Sequence, residues 1–350
     1  MTDAIYEQLV DALNALPNGF PRTPSRVELR LLAKICSPEE AALASQLRGE
    51  FEPASEIAAR VGESQQSVTK RLIALVRRGL AWIWKREGTL CFRLAPFIVG
   101  LYEEQLDRLD HELAHLVEAY MLDGGAAGIM GPQPALHRVM PARHAIKTES
   151  ILPYEDVRAL ILAAKTFHVR DCICRAQQDY VGRRCKFPLD VCLSVSDYER
   201  PAAPGDVTQQ EALALLDRCE ELGLVHTVSN VMQGMSYVCN CCGCCCGILR
   251  GITEWGLEHS IARANYNAAI DADTCQGCGI CVERCQVHAI AMQDDVAVVD
   301  AARCIGCGLC VTGCPHEAAH LERLPEAEIV EPPADYAAWE RARLHDRGLD

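Results

Sequence analysis

The sequence is poor in aromatic residues, 5% of 350, and has no apolar run near the roughly 20 residues that cross a bilayer. The longest candidate, around Leu94 to Leu101, is too short and holds Pro96, so no membrane span is expected. The start, Met-Thr-Asp-Ala-Ile-Tyr-Glu, lacks the basic residues and apolar stretch of a signal peptide, which points to the cytoplasm. There is no nucleophile elbow, no His-Glu-x-x-His and no carboxylate pair in a recognisable frame, so nothing marks a hydrolase or a group-transfer enzyme. The run Gly124-Gly125-Ala126-Ala127-Gly128 is followed by no Walker lysine or dinucleotide fingerprint, and reads as a linker with Pro132, Pro134 and Pro141.

Cysteine is abundant instead, with 21 in the chain. A reducing compartment disfavours disulfides, so this many thiols point to metal ligation. Charge is uneven. Residues 1–100 hold 13 Lys/Arg against 11 Asp/Glu, a net of +2, whereas residues 101–350 hold 21 against 37, a net of −16. The cysteine-bearing part should therefore avoid polyanions and dock on basic patches of redox partners.

The strongest pattern lies near the C-terminus. Cys275, Cys278, Cys281 and Cys285, then Cys304, Cys307, Cys310 and Cys314, repeat the spacing Cys-x-x-Cys-x-x-Cys-x-x-x-Cys across an 18-residue gap. Three thiolates at such intervals wrap three corners of a cubane, and the fourth ligand arrives from elsewhere, commonly from the other half. Cys275, Cys278, Cys281 and Cys314 are thus expected on one 4Fe-4S cluster, and Cys304, Cys307, Cys310 and Cys285 on a second. Two zinc sites are the competing use of Cys-x-x-Cys, but zinc closes with four ligands and needs no cubane spacing. Residues 270 to 322 resemble the bacterial two-cluster ferredoxins, with Ala289-Ile290 after the first set and Glu317-Ala318-Ala319 after the second. The resemblance implies a pseudo-twofold fold of short hairpins and helices. Gln286 departs from it, standing where that family usually has proline.

At the other end, helical periodicity places Val27, Leu31, Leu32 and Ile35 on one face, and Ser37-Pro38-Glu39-Glu40 carries the signature of a capping box. Further helices are expected over Ala54 to Val61 and from Gln65 to about Arg78. A hairpin should follow, from Leu80 to Lys85 and from Leu90 to Leu94 around Glu87-Gly88. Glu56 to Ser64 with Val68 to Gly79 resembles the winged helix-turn-helix of MarR-like regulators. That resemblance implies Gln65, Gln66, Thr69 and Lys70 in a major groove, with Lys85 and Arg86 on phosphates. A net of +2 falls short of the basic footprint of a DNA reader, so docking or dimerisation is the preferred role. Leu101 to Leu122, with Leu106, Leu109, Leu113, Leu116 and Tyr120 in register, is expected as one long helix through which a homodimer could form.

The middle of the chain carries a second field: Cys172, Cys174, Cys185 and Cys192, then Cys239, Cys241, Cys242, Cys244, Cys245 and Cys246. Helices are expected from Pro153 to Lys165 and from Thr208 to Leu222, the latter with Cys219 as a buried apolar residue. Thiols packed six into eight residues, 239 to 246, call for a soft metal. One or two further iron–sulfur clusters are expected, the first four cysteines supplying much of one and the 239–246 run much of the other, with exchange between groups allowed. A structural zinc site or a disulfide-forming thiol set are the alternatives. The triplets 241–243 and 245–247 resemble the Cys-Cys-Gly motif of heterodisulfide reductase subunits, which implies a noncubane cluster, although in that family the triplets lie far apart in the chain.

The expected architecture is α+β and multidomain. A winged helix spans 1–100, a helical extension and linker 101–150, a cysteine-rich iron–sulfur domain 151–265, a two-cluster ferredoxin domain 266–322 and an acidic tail 323–350, with a short helix near Tyr336 to Leu344. The expected function is electron transfer, as an oxidoreductase component whose partners are oxidoreductase subunits or another ferredoxin. The alternative is a redox-responsive regulator that reads DNA.

Overall fold

A computed structural model describes residues 2–146 and 151–349. They divide into two units. One runs to Pro132 and includes Ala176–Arg184 and the residues from Arg343 on; the other holds Gln133–Arg175 and Cys185–Ala342.

The first unit begins with α1 (Thr2–Asn14), α2 (Val27–Ile35) and α3 (Pro38–Ala44). The Ser37 hydroxyl accepts from the Glu40 amide and the Glu40 carboxylate accepts from the Ser37 amide, so the expected capping box is present. The short β1 (Glu52–Pro53) leads into α4 (Ala54–Val61), and Ser64 caps α5 (Gln65–Arg77). The hairpin β2 (Ala81–Arg86) and β3 (Thr89–Leu94) pairs antiparallel from Ala81↔Leu94 to Arg86↔Thr89, in a three-stranded sheet ordered β1-β3-β2. Val68, Leu72 and Leu75 of α5 are buried with Leu31, Leu32, Phe92 and Leu94.

The helix expected over Leu101 to Leu122 is broken. Residues 103–108 form a 3-10 turn, Leu109 is extended, and α6 starts afresh at His111–Tyr120. Asp110 is the cause: its carboxylate accepts from the Leu113 amide at 2.8 Å, which favours a helix start over a helix interior. Leu109, Leu113, Leu116 and Tyr120, the face expected to meet a second copy, are buried in the chain itself, and Tyr120 stacks 4.6 Å from Phe20. The short α7 (Ala126–Met130) follows inside the segment expected as a linker. Arg343 is buried and donates to the carbonyls of Pro17, Ile129 and Pro132 at 2.7–2.9 Å.

The second unit is built on a six-stranded antiparallel sheet. The expected linker continues there as β4 (His137–Met140), an edge strand buried along its length; its last residues, 147–150, lie outside the described residues. Then come α8 (Val157–Ala163), β5 (Thr166–Asp171), the start of α9 (Ile173–Tyr180), up to Arg175, β6 (Asp190–Ser196), β7 (Asp206–Val207), α10 (Gln209–Leu222), β8 (Val225–Ser229), β9 (Tyr237–Cys241) and α11 (Gly247–Thr253). The order across the sheet is β4-β8-β9-β6-β5-β7. Thr208 and Glu211 form a second capping box, so α10 lies where expected. It brings Leu215, Leu216 and Cys219 onto Leu193, Val195, Val228 and Val238, and α8 adds Val157 and Ile161. Burial at roughly 25 cal/mol per Å² makes this apolar face the main stabilising element of the sheet.

The same unit contains β10 (Tyr266–Ile270), α12 (Ile280–Arg284), β11 (Ile290–Gln293), β12 (Val296–Val299), α13 (Leu309–Thr312), β13 (Ala319–Arg323) and the first part of α14 (Tyr336–Asp346), up to Ala342. β10 pairs with β13, and β11 with β12. Two halves repeat one hydrogen-bond pattern. Asp271 and Asp300 each cap a turn, accepting through the main-chain carbonyl from Cys275 and Cys304 at 2.9 Å, while Gly279 and Gly308 open α12 and α13. No described helix is long and apolar enough to cross a membrane.

Candidate metal centres

In the repeat, the loops before α12 and α13 carry two cysteines each, the third lies in the first turn of the helix, and the fourth comes from the end of the opposite helix. Cys275, Cys278, Cys281 and Cys314 line one cavity, together with Ile270, Ala297 and Ala318. Amides of Ala297 and Gly277 reach the Cys275 sulfur and hold its pKa below the usual thiol value. The thiols of Cys304, Cys307, Cys310 and Cys285 interact with one another in a more buried setting. Burial pushes Cys310 up to about 12, and Cys307 and Cys285 upward as well. The amides of Ala289 and Ala268 point at the sulfurs of Cys285 and Cys304, at 3.1 and 3.5 Å. Such N–H donors stabilise thiolate and cluster charge.

Backbone room is tight where the loops turn. Gly306 has φ +71°, and a Cβ there would lie 2.4 Å from the Tyr266 carbonyl; the equivalent Gly277, φ +66°, would meet the Asp295 carbonyl at 2.5 Å. Four thiols around a cavity, closely approaching backbone and amides aimed at sulfur fit an iron–sulfur cluster. Residues 267–328 match the family model of the 4Fe-4S dicluster domain. The dicluster domain implies iron–sulfur clusters in this part of the chain, which agrees with the spacing of its cysteines. A comparison with curated proteins found no match for the chain.

Arg284 and Gln286 are two of the side chains that tie the dicluster domain to the rest of its unit. Arg284 donates to the carbonyls of Leu309, Glu221 and Glu220 at 2.7–2.8 Å. Gln286 accepts from the Gly243 amide at 2.9 Å and donates to the Gly223 carbonyl at 2.9 Å. The departure from proline thus has a structural use: Gln286 follows Cys285, and Gly243 stands between Cys242 and Cys244. A Cβ on Gly243 would lie 1.8 Å from the Gln286 carbonyl oxygen, so the chains meet there in a way only glycine permits.

The central cysteines are sorted by the sheet. Along β6 and β9, Val191, Leu193, Val195 and Val238 face the apolar core, and alternation puts Cys192, Cys239 and Cys241 on the other face. The register Leu193↔Val238 sets Cys192 beside Cys239. Thiol–thiol contacts then run from Cys192 to Cys239, Cys241, Cys246, Cys174 and Cys172. A hydrogen bond from Cys239 holds Cys192 at about 6 against the burial that opposes it, and hydrogen bonds from Cys239 and Cys246 hold Cys241 at about 5. Thr227 Oγ1 is 3.5 Å from the Cys241 sulfur.

Cys242 and Cys245 lie in the apolar cluster instead. There the sulfurs of Cys185, Cys242, Cys244 and Cys245 all fall within 4.8 Å of one another. Cys242 accepts from the other three, which keeps it strongly deprotonated, and the buried Arg175 donates to its sulfur at 3.4 Å. Cys185 thus stands with Cys242, Cys244 and Cys245 and apart from Cys172, Cys174 and Cys192, an exchange between the two groups of the kind the sequence allowed. Each adjacent pair, Cys241-Cys242 and Cys245-Cys246, is divided between the two sets, because neighbours leaving a strand or entering a helix point to different sides. Cys219 is fully buried among leucines and valines, as expected of an apolar residue.

Arg284, Thr227 and Thr253, whose hydroxyl donates to the Gly243 carbonyl at 2.9 Å, are functional neighbours that sequence reasoning missed. None carries a local signal. His168 contacts the Asp206 carboxylate at 3.1 Å.

Proposed function

We propose that this chain is an electron-transfer subunit, or a dedicated electron carrier, of a larger anaerobic redox enzyme. In this reading Cys275, Cys278, Cys281 and Cys314 hold one 4Fe-4S cluster, and Cys304, Cys307, Cys310 and Cys285 hold the second. The six thiols Cys172, Cys174, Cys192, Cys239, Cys241 and Cys246 hold a further iron–sulfur cluster. An iron–sulfur cluster, when bound, takes up and releases single electrons. The residues of this chain supply thiolates, N–H donors and burial, which set the potentials. Cys275, with its depressed pKa, and the exposed Cys278 mark the end that meets a redox partner.

The observation that carries the proposal is the junction at Gln286. Its main chain continues from Cys285 and its side chain binds the amide of Gly243, at the border of the central thiol field. A covalent and hydrogen-bonded route therefore links the dicluster domain to the central sheet. We read the N-terminal order α2-α3-α4-α5-β2-β3 as a winged helix that docks on protein: Trp82, Ile83 and Trp84 are exposed on its hairpin.

The test is anaerobic stopped-flow reduction of the metal-loaded chain by a low-potential donor. We expect the dicluster signals to change first and the central ones second. Gln286→Ala should slow the second phase while leaving the first unchanged. Central reduction that is equally fast in a Cys275→Ser, Cys314→Ser variant would contradict the proposal.

A further inference from the structure

The spacing of thiols separates two kinds of metal centre. A tetrahedral ion bound to four thiolates at about 2.3 Å sets its sulfurs about 3.8 Å apart. A cubane places four irons and four sulfides between its thiolates and forces them much farther apart. Cys244 and Cys245 have their sulfurs 3.7 Å apart, and with Cys185 and Cys242 all four lie within 4.8 Å of one another. Among the described residues this is the single group of three or more metal-binding side chains gathered so closely; the cysteines of the dicluster domain, in the same chain, are not.

We propose that Cys185, Cys242, Cys244 and Cys245 bind one tetrahedral metal ion of the zinc class, without inorganic sulfide, as a structural clasp. Four thiolates fill every position of a tetrahedral ion, so the site is closed, as structural zinc sites are. Four thiolates on a dication leave two negative charges. Arg175, buried against this set, donates Nε–H to the Cys242 sulfur at 3.4 Å, and its other nitrogens are fixed by the carbonyls of Pro188 and Asn240. The clasp joins the segment before β6, which carries Cys185, to the turn after β9. That turn contains Gly243, so the ion holds the amide that Gln286 grips.

The experiment uses the full chain, purified without oxygen, with zinc, iron and acid-labile sulfide counted for the native protein and for Cys244→Ser. Cys244 is exposed, which favours a folded variant. The native chain should carry one metal ion more than sulfide. The variant should lose that ion, with iron bound to sulfide and the EPR signals of the dicluster domain unchanged. Loss of about four iron and four sulfide in the variant, or no excess ion in the native chain, would overturn the proposal. A second measurement does not depend on the variant: native chain produced with cobalt should show the ligand-field bands of tetrahedral thiolate-bound cobalt, and their absence would also overturn it. The dicluster EPR signals report on the electron-transfer reading separately, so the two can fail independently.

Discussion

The dicluster domain and the central cysteine field use the same side chain in different ways. In the first, three thiols of each set lie on one short stretch, a loop and the first turn of the helix after it, so local spacing fixes most of what they surround. In the second, thiols come from β6, β9, the start of α9 and the turns around them, so strand alternation and register decide. The same ligand type therefore gives open cradles in one region and one closely packed tetrad in the other. Spacing in sequence is informative when a single loop wraps the site, and loses its meaning when a sheet distributes the ligands.

The comparison can be broken most severely at Gly243. Gly243→Ala drives a methyl into the Gln286 carbonyl, and we expect a loss above about 4 kcal/mol, with the central metals gone and the dicluster domain still loaded. Metal analysis after mild proteolysis would check this, and retention of the central metals would count against the tight junction. Glu155→Ala should cost about 3–5 kcal/mol, because it strands the buried Arg138, now paired at 2.9 Å, and frees Asn265 at the head of β10. Here both regions should weaken together in denaturant unfolding.

A smaller effect sharpens the comparison by pH. Burial holds His137 on β4 at about 4, against a usual 6.5. The folded chain disfavours protonation there, so between these values the unfolded chain binds more protons. The stability is complete above about pH 6.5 and is lost as pH falls towards 4, by about 3 kcal/mol. Thermal unfolding from pH 7 to 4.5 should therefore drop more steeply for the native chain than for His137→Gln. Trp84→Ala should change stability by no more than about 0.5 kcal/mol, since its side chain is exposed; a larger fall in melting temperature would mean that the hairpin packs internally.

What the sequence disclosed follows the same division. The capping box at Ser37, the helix from Thr208, the hairpin at Glu87-Gly88 and the cysteine spacing of the dicluster domain are local patterns, and each was legible. The break at Asp110 was hidden because leucine periodicity continues through it, while one carboxylate starts a new helix. Strand β4 was hidden by flanking prolines and glycines. The division of Cys241 from Cys242 depends on where β9 ends, and the use of Gln286 depends on a glycine 43 positions earlier. Neither leaves a mark at short range.

The most direct test of the central claim, that thiol spacing decides what each set holds, is X-ray absorption at the zinc and iron edges of the metal-loaded chain. The account predicts a zinc edge with four sulfur neighbours at about 2.3 Å and no metal neighbour, beside an iron edge with short iron–iron distances. Absence of zinc, with all iron showing iron neighbours, would contradict it.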